Sequence, residues 1–201
     1  TKRTAAASAL ASSYLSKKDS SSLLMIGTGA LAPNLILAHT RIRPIKNVYV
    51  WGRNLQKAEA VCHQFENQNF EISAVHTIEE IIGEVDIISC ATFSKSPLIY
   101  GKYLKAGQHI DLVGSYKPDM READDETIKK SRLYIDTYPA ATKESGDIVV
   151  PLEKGLINED DIQADLFDLC SNRKSGRQND EEITLFKSVG HALEDLVAAT
   201  Y

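Results

Sequence analysis

Leu23-Leu24-Met25-Ile26-Gly27-Thr28-Gly29-Ala30-Leu31-Ala32 decides how the rest of the chain is read. An uncharged apolar run stops at a Gly-x-Gly-x-x-Ala loop, and an apolar, helix-compatible stretch follows. That order predicts a strand, a phosphate-binding turn and a helix N-terminus. Gly27 permits the tight turn, and Gly29 lets a pyrophosphate approach the backbone. Ala32 is small enough for the helix to lie close on the strand. The N–H groups at that helix end, around Thr28 and Ala30, face an anion with the helix dipole behind them.

Working outward, residues 1–15 are rich in alanine, the strongest helix former, and residues 17–22 make a polar connector. The helix after the glycine loop runs to about residue 40, with Pro33 harmless in its first turn. Residues 47–51 (Asn-Val-Tyr-Val-Trp) read as a second strand. Asn54 caps a helix carrying Leu55, Ala58, Val61, Cys62 and Phe65. Further strands are predicted at 70–75, 86–91, 109–114, 133–136 and 183–186. Helical segments are expected at 77–82, with Thr77 and Glu80 as a capping box, and at 124–131, and a short turn or helix at 100–105. Residues 171–180 read as a polar surface loop. A closing helix presents Val189, Leu193, Leu196 and Val197 on one face. Strands alternating with helices predict an α/β fold, a Rossmann-type doubly wound, mainly parallel sheet forming a single dinucleotide-binding domain over residues 1–201.

In such a fold the end of the second strand reads the adenine ribose: an acidic residue for NAD, an arginine for NADP. Here Gly52-Arg53-Asn54 stands at that place without Asp or Glu, and Lys57 follows one turn later. A guanidinium makes forked contacts to phosphate, so NADP(H) is the expected coenzyme, with NAD(H) possible. Other contacts are expected at the carboxyl ends of later strands, at Ala91 and Thr92 and at Val113 and Gly114.

Composition excludes several classes. A net charge of −5 and the lack of a basic, aromatic-interleaved patch argue against nucleic acid. No apolar run is long enough to span a bilayer, so no membrane partner is expected. Cys62, Cys90 and Cys170 are odd in number and far apart, which fits a cytoplasmic protein. No metal site is expected: His39, His63, His76 and His109 form no ligand pair and read as surface or edge residues. The chain starts at Thr1 and goes directly into a helix, and so reads as a piece of a longer protein.

Several stretches together resemble the ornithine cyclodeaminase/mu-crystallin family. They are Lys2-Arg3-Thr4-Ala5-Ala6-Ala7-Ser8-Ala9, the Ile26–Ala30 loop, and Gly114-Ser115-Tyr116-Lys117-Pro118-Asp119-Met120-Arg121-Glu122. Glu144-Ser145-Gly146-Asp147 and Thr184-Leu185-Phe186-Lys187-Ser188-Val189-Gly190, with Glu194-Asp195 behind it, complete the set. They follow the family order over nearly the whole chain.

The resemblance implies that Arg3 holds a substrate α-carboxylate, a task suited to a planar two-pronged cation. It places Ser188 and Gly190 in a turn beside the nicotinamide; Ser188 also reads as a helix cap. Tyr116 stands where ornithine cyclodeaminases carry an aspartate, and a phenol with a pKa near 10 is a poor base at neutral pH. The sequence therefore looks most like bacterial-type members that reduce cyclic imino acids such as Δ1-pyrroline-2-carboxylate or Δ1-piperideine-2-carboxylate. Ornithine cyclodeaminase, alanine dehydrogenase and a non-catalytic mu-crystallin-like NADPH binder are the alternatives the family offers. Asp119, Arg121 and Glu122 read as loop-holding residues, and no chemical role is assigned to Asp147. The resemblance also implies an N-terminal substrate and dimerisation segment outside this chain. On that reading the full-length protein is a homodimer, and this portion binds coenzyme with little turnover of an amino or imino acid alone.

Overall fold

A computed structural model describes residues 1–192, 195, 196 and 200. Among them, eight strands form one sheet in the order β3-β2-β1-β4-β5-β8-β6-β7, with every pair parallel. The strands are β1 (Ser22–Ile26), β2 (Asn47–Trp51), β3 (Glu71–Ala74), β4 (Ile87–Cys90), β5 (His109–Leu112), β6 (Ser131–Ile135), β7 (Ile162–Asp165) and β8 (Ile183–Lys187). The helices are α1 (Lys2–Leu15), α2 (Ala32–Ile42), α3 (Leu55–Cys62), α4 (Asp125–Lys130), α5 (Tyr138–Glu144), α6 (Gly146–Glu153) and α7 (Leu166–Cys170). The Rossmann-type class read from the sequence is the class observed. Trp51, Ile26, Cys90, Leu112, Lys187, Ile135 and Asp165 stand level across the sheet at its carboxyl edge.

Alternation along each strand splits the core. Leu23, Met25, Val48 and Val50 pack with Leu35 and Ile36 of α2 and Ala58 and Val61 of α3. Leu24, Ile26, Ile88, Ile110 and Leu112 pack on the other face with Ile128 of α4 and with Ile78, Ile82 and Ile99. Near the chain's end, Ala11 and Leu15 of α1 meet Tyr134, Phe186 and Leu169 of α7. Covered on both faces, the strands can be continuously apolar, as parallel sheets require.

Three expectations change. Residues 77–82 form turns followed by a short 3-10 segment at Ile82–Glu84, not a capped helix. The link from β3 to β4 passes two strands, roughly 14 Å at the usual spacing, and helix gains only about 1.5 Å per residue. His39 and His109 are fully buried, not superficial. On the face under α1 and α2, His39 Nε2 lies 3.2 Å from Asp111 Oδ2, which also accepts from Ser89 Oγ at 2.8 Å. His109 Nδ1 meets Thr184 Oγ1 at 3.0 Å. Of the predicted closing face, Val189 packs beside Ile135 and Leu196 is 59 % exposed, while Leu193 and Val197 lie outside the described residues. Residues 137–170, where the pattern assigns no element, hold α5, α6, β7 and α7.

Two arginines anchor the end of α1. Arg43 donates to the carbonyls of Ser12, Ser13, Ser16, Lys17 and Ile42 at 2.8–3.1 Å. Arg177, from the loop before β8, donates to Leu15, Gln108 and Glu182 carbonyls. These satisfy carbonyls a helix C-terminus otherwise leaves open. Arg43→Ala is expected to lower stability by about 2–4 kcal/mol in urea unfolding; a loss under about 0.5 kcal/mol, the range of an ordinary surface change, would contradict this role.

Candidate functional site

The carboxyl edge of the sheet carries the site because β1 and β4 start their connections in opposite directions there, leaving a crevice between them. One residue beyond the level line come Gly27, Gly52, Ala91, Val113, Ser188 and Asp136. Their N–H groups continue the ladder: Gly27 to Trp51, Ala91 to Ile26, Val113 to Cys90, Ser188 to Leu112 and Asp136 to Lys187, at 2.8–3.1 Å. The sequence marks all of these positions but Asp136 as candidate contacts.

A groove of about 480 Å³ opens above them, lined by Gly27, Thr28, Gly29, Gly52, Arg53, Asn54, Lys57, Ala91 and Thr92 together with Trp51, Phe93, Ser94 and Leu98. Gly27 has φ +119°, and a Cβ there would lie 2.5 Å from the Ala91 carbonyl oxygen. Beside Gly29 the space is open, with nothing within 4 Å of a Cβ position. Among the described residues the N–H groups of Thr28, Gly29, Ala30 and Leu31 donate to no protein acceptor. Ala30 is exposed beside the groove, and Ala32, the first residue of α2, is buried. Pro33 follows in the first helical turn.

The end of the groove beside β2 and α3 is cationic. Asn54 caps α3 by accepting from the Lys57 N–H at 3.1 Å. Arg53 and Lys57 are exposed and form no ion pair among the described residues. No carboxylate lines the groove. Open amides, open space at Gly29 and two unpaired cations fit a polyphosphate. A larger hollow of about 600 Å³ lies elsewhere, between β2, β3 and α3, and is lined by none of these groups. Among the described residues no three His, Cys, Asp or Glu side chains gather to hold a metal ion.

On the other side, buried carboxylates hold the loops. Glu122 accepts from Thr92 N and Oγ1 at 2.7 and 2.8 Å, and from Gly114 N and Ser115 N at 2.8 and 3.1 Å. Thr92 lines the groove and Gly114 is buried beside it, both with their N–H groups already engaged. Burial pushes the Glu122 carboxyl above its ordinary range, Lys187 draws it back and Asp147 pushes it up. Asp147 accepts from the Glu122 and Ala123 N–H groups at 2.8 and 3.1 Å. Asp136 accepts from Val189 and Gly190 N–H, both at 2.6 Å, and fixes the Ser188–Gly190 turn. Arg3 reaches that turn: its guanidinium lies 3.3 Å from the Cβ position at Gly190, and its Nε donates to Asp195 Oδ1 at 2.7 Å. Tyr116, 43 % exposed, meets Phe93 edge-on at 6.0 Å, at the rim of the groove. Val113 and Ser188 are buried behind these loops.

Sequence reading missed Ser94 and Leu98 as lining residues, and Asp136 and Lys187 as anchors. The available signal was a charged residue closing an apolar run: Asp136 after Leu133-Tyr134-Ile135, Lys187 after Thr184-Leu185-Phe186. Such charges at carboxyl ends of strands belong to the functional edge.

Fold and groove together define a Rossmann-type nucleotide-binding domain. The family model for the ornithine cyclodeaminase/mu-crystallin family matches residues 1–201, and the chain belongs to that family. It is 42 % identical over 200 residues to the Δ1-pyrroline-2-carboxylate reductase of Colwellia psychrerythraea, covering 98 % of this chain and 63 % of that protein. The Thermococcus litoralis Δ1-pyrroline-2-carboxylate reductase, solved with NADH and L-proline, superposes with a TM-score of 0.95 at 38 % identity, covering 98 % of this chain and 62 % of that one. An archaeal alanine dehydrogenase dimer with bound NAD gives 0.92 at 30 % identity, covering 98 % and 61 %. The chain thus spans about three fifths of the length of the relatives it matches.

Proposed function

We propose that this chain is the coenzyme-binding portion of an NAD(P)H-dependent reductase of cyclic imino acids, with Δ1-pyrroline-2-carboxylate or Δ1-piperideine-2-carboxylate as substrate and NADPH preferred. The carrying observation is the carboxylate-free groove at the switch point, with open glycine-loop amides at one end and exposed Arg53 and Lys57 at the other. The Colwellia and Thermococcus reductases support the substrate class.

The amides of Thr28, Gly29 and Ala30 would hold the pyrophosphate, and Arg53 with Lys57 the 2′-phosphate. When bound, the nicotinamide supplies the hydride. Arg3, fixed beside the Gly190 turn, pairs with the substrate carboxylate and orients the C=N carbon; holding that geometry is much of the rate gain. Tyr116 at the rim offers its phenol as a hydrogen-bond donor to substrate. A homodimer of the whole protein belongs to the same reading; light scattering at the mass of one chain would remove it.

Two measurements test the proposal. Loss of nicotinamide absorbance is expected when the intact protein meets NADPH and Δ1-pyrroline-2-carboxylate. Coenzyme binding without oxidation across cyclic imines would favour a binder, and turnover confined to ornithine with NAD or to pyruvate with ammonia would overturn the imine assignment. Arg53→Asp should weaken NADPH by about tenfold to a hundredfold, the worth of a charge-assisted contact, and NADH by much less. Equal losses would reject the phosphate-reading role.

A further inference from the structure

We propose that Lys187 is a positioning residue for the nicotinamide half of the coenzyme, acting through Glu122 and Asp147. This rests on the coenzyme site proposed above. Lys187 ends β8 with its side chain fully buried, and its ammonium donates to the Leu112 carbonyl at 3.2 Å and lies 3.9 Å from Asp147 Oδ2. Asp147 holds the backbone N–H of Glu122, and Glu122 holds the N–H groups of Thr92, Gly114 and Ser115. One buried cation is thus linked in two steps to the loops that follow β4 and β5. With the pyrophosphate on the glycine loop and the ribose reader at the end of β2, the nicotinamide falls on the β4–β5 side.

The hydrogen bonds dictate charge. Both oxygens of Glu122 face donors, so Glu122 must be ionised to accept all of them. Asp147 accepts two N–H groups through Oδ1, while its buried Oδ2 has no hydrogen-bond partner. Two carboxylates sealed from water need compensation. Arg121, 3.7 Å from Asp147 Oδ1, supplies part of it from the loop's outer side, where it also pairs with Asp125. Lys187 supplies the rest from within the sheet. A buried lysine is costly where an apolar side chain of equal length would pack, and its place here keeps both loop-holding carboxylates charged.

The test is Lys187→Met in the whole protein, read by amide hydrogen exchange without ligand. The N–H groups of Thr92, Gly114 and Ser115 are expected to exchange at least about tenfold faster, while those of Leu24 and Val50 keep their protection. Dissociation constants for NADH and for ADP form the second readout: NADH should weaken about tenfold or more, ADP less than about twofold. A role limited to stability would leave the three loop amides protected, or weaken ADP and NADH alike, and either result overturns the proposal. If Lys187→Met does not fold, Asp147→Asn, which keeps side-chain shape and removes the charge facing Lys187, is read in the same way. Absence of NADH and ADP binding by the unsubstituted protein would overturn the coenzyme site instead, and the exchange pattern alone then decides the link from Lys187 to the loops.

Discussion

Gly114→Ala is expected to destroy coenzyme binding and to weaken the fold. A Cβ at this position would lie 2.0 Å from the Thr92 carbonyl oxygen, 2.2 Å from its nitrogen and 2.5 Å from Glu122 Oε1. These are backbone atoms and a buried, four-bonded carboxylate, so none can swing aside. The loops after β4 and β5 must separate, and the bonds from Thr92, Gly114 and Ser115 to Glu122 stretch together. Overpacking with loss of buried charge-assisted bonds amounts to about 3 kcal/mol or more. The dissociation constant for NADH or NADPH should rise by more than about a hundredfold. Gly29→Ala makes the control: open space surrounds that position, so stability stays within about 0.5 kcal/mol while coenzyme affinity falls. Chemical unfolding and coenzyme titration on both variants read the contrast. Normal affinity in Gly114→Ala would show that the loops do not shape the site.

The second large effect is on acid stability. Burial pulls the His109 imidazole from 6.5 down to about 3, with the neighbouring Asp111 charge opposing and His39, Arg177 and Arg43 assisting. Between those values the unfolded chain holds a proton that the folded protein refuses, so unfolding is favoured as pH falls. The contribution is complete above pH 6.5 and is lost progressively towards pH 3, about 5 kcal/mol over the window. Asp111 acts in the same sense lower down. Burial alone would raise its carboxyl, but hydrogen bonding and charge from His39, with His109 and Ser89, hold it below the usual range. Urea unfolding from pH 7 to pH 4 should show stability falling by about 1.4 kcal/mol per pH unit in the steep part. In His109→Gln that slope should shrink by nearly one proton. An unchanged slope would show that other groups carry the acid sensitivity.

Much of the coenzyme half was legible because local rules coincide there. An uncharged run, a glycine pair and a small residue mark strand, turn and helix within ten residues, and Asn54 caps α3 as its side chain permits. The opposite half was harder because its determinants are distant in sequence. Asp136 serves the N–H groups of Val189 and Gly190, more than fifty residues later. His109-Ile110-Asp111-Leu112 alternates like a half-exposed strand, yet both faces are covered and the polar face is closed by His39, Ser89 and Thr184. Proline inside α6, at Pro151, hid a helix that tertiary packing sustains. Glu122 reads as a loop-holding residue and holds the loops, but the work of Asp147 appears only once the loops are folded around it.

Strand β8 sits between β5 and β6 although it follows the other seven described strands in sequence. During synthesis, the five-strand half β3-β2-β1-β4-β5 can zip up once residue 112 has left the ribosome. β6 and β7, which pair with each other, then wait unattached to that half until residues 183–187 emerge, because only β8 joins them to it. The far end of α1 completes its packing only then: Ala5 already lies in the cluster with Leu35 and Ile36 of α2, while Ala11 and Leu15 rest on Phe186. A ribosome stalled before residue 183 therefore holds a half-zipped sheet with a bare edge, the kind of intermediate that chaperones exist to shield.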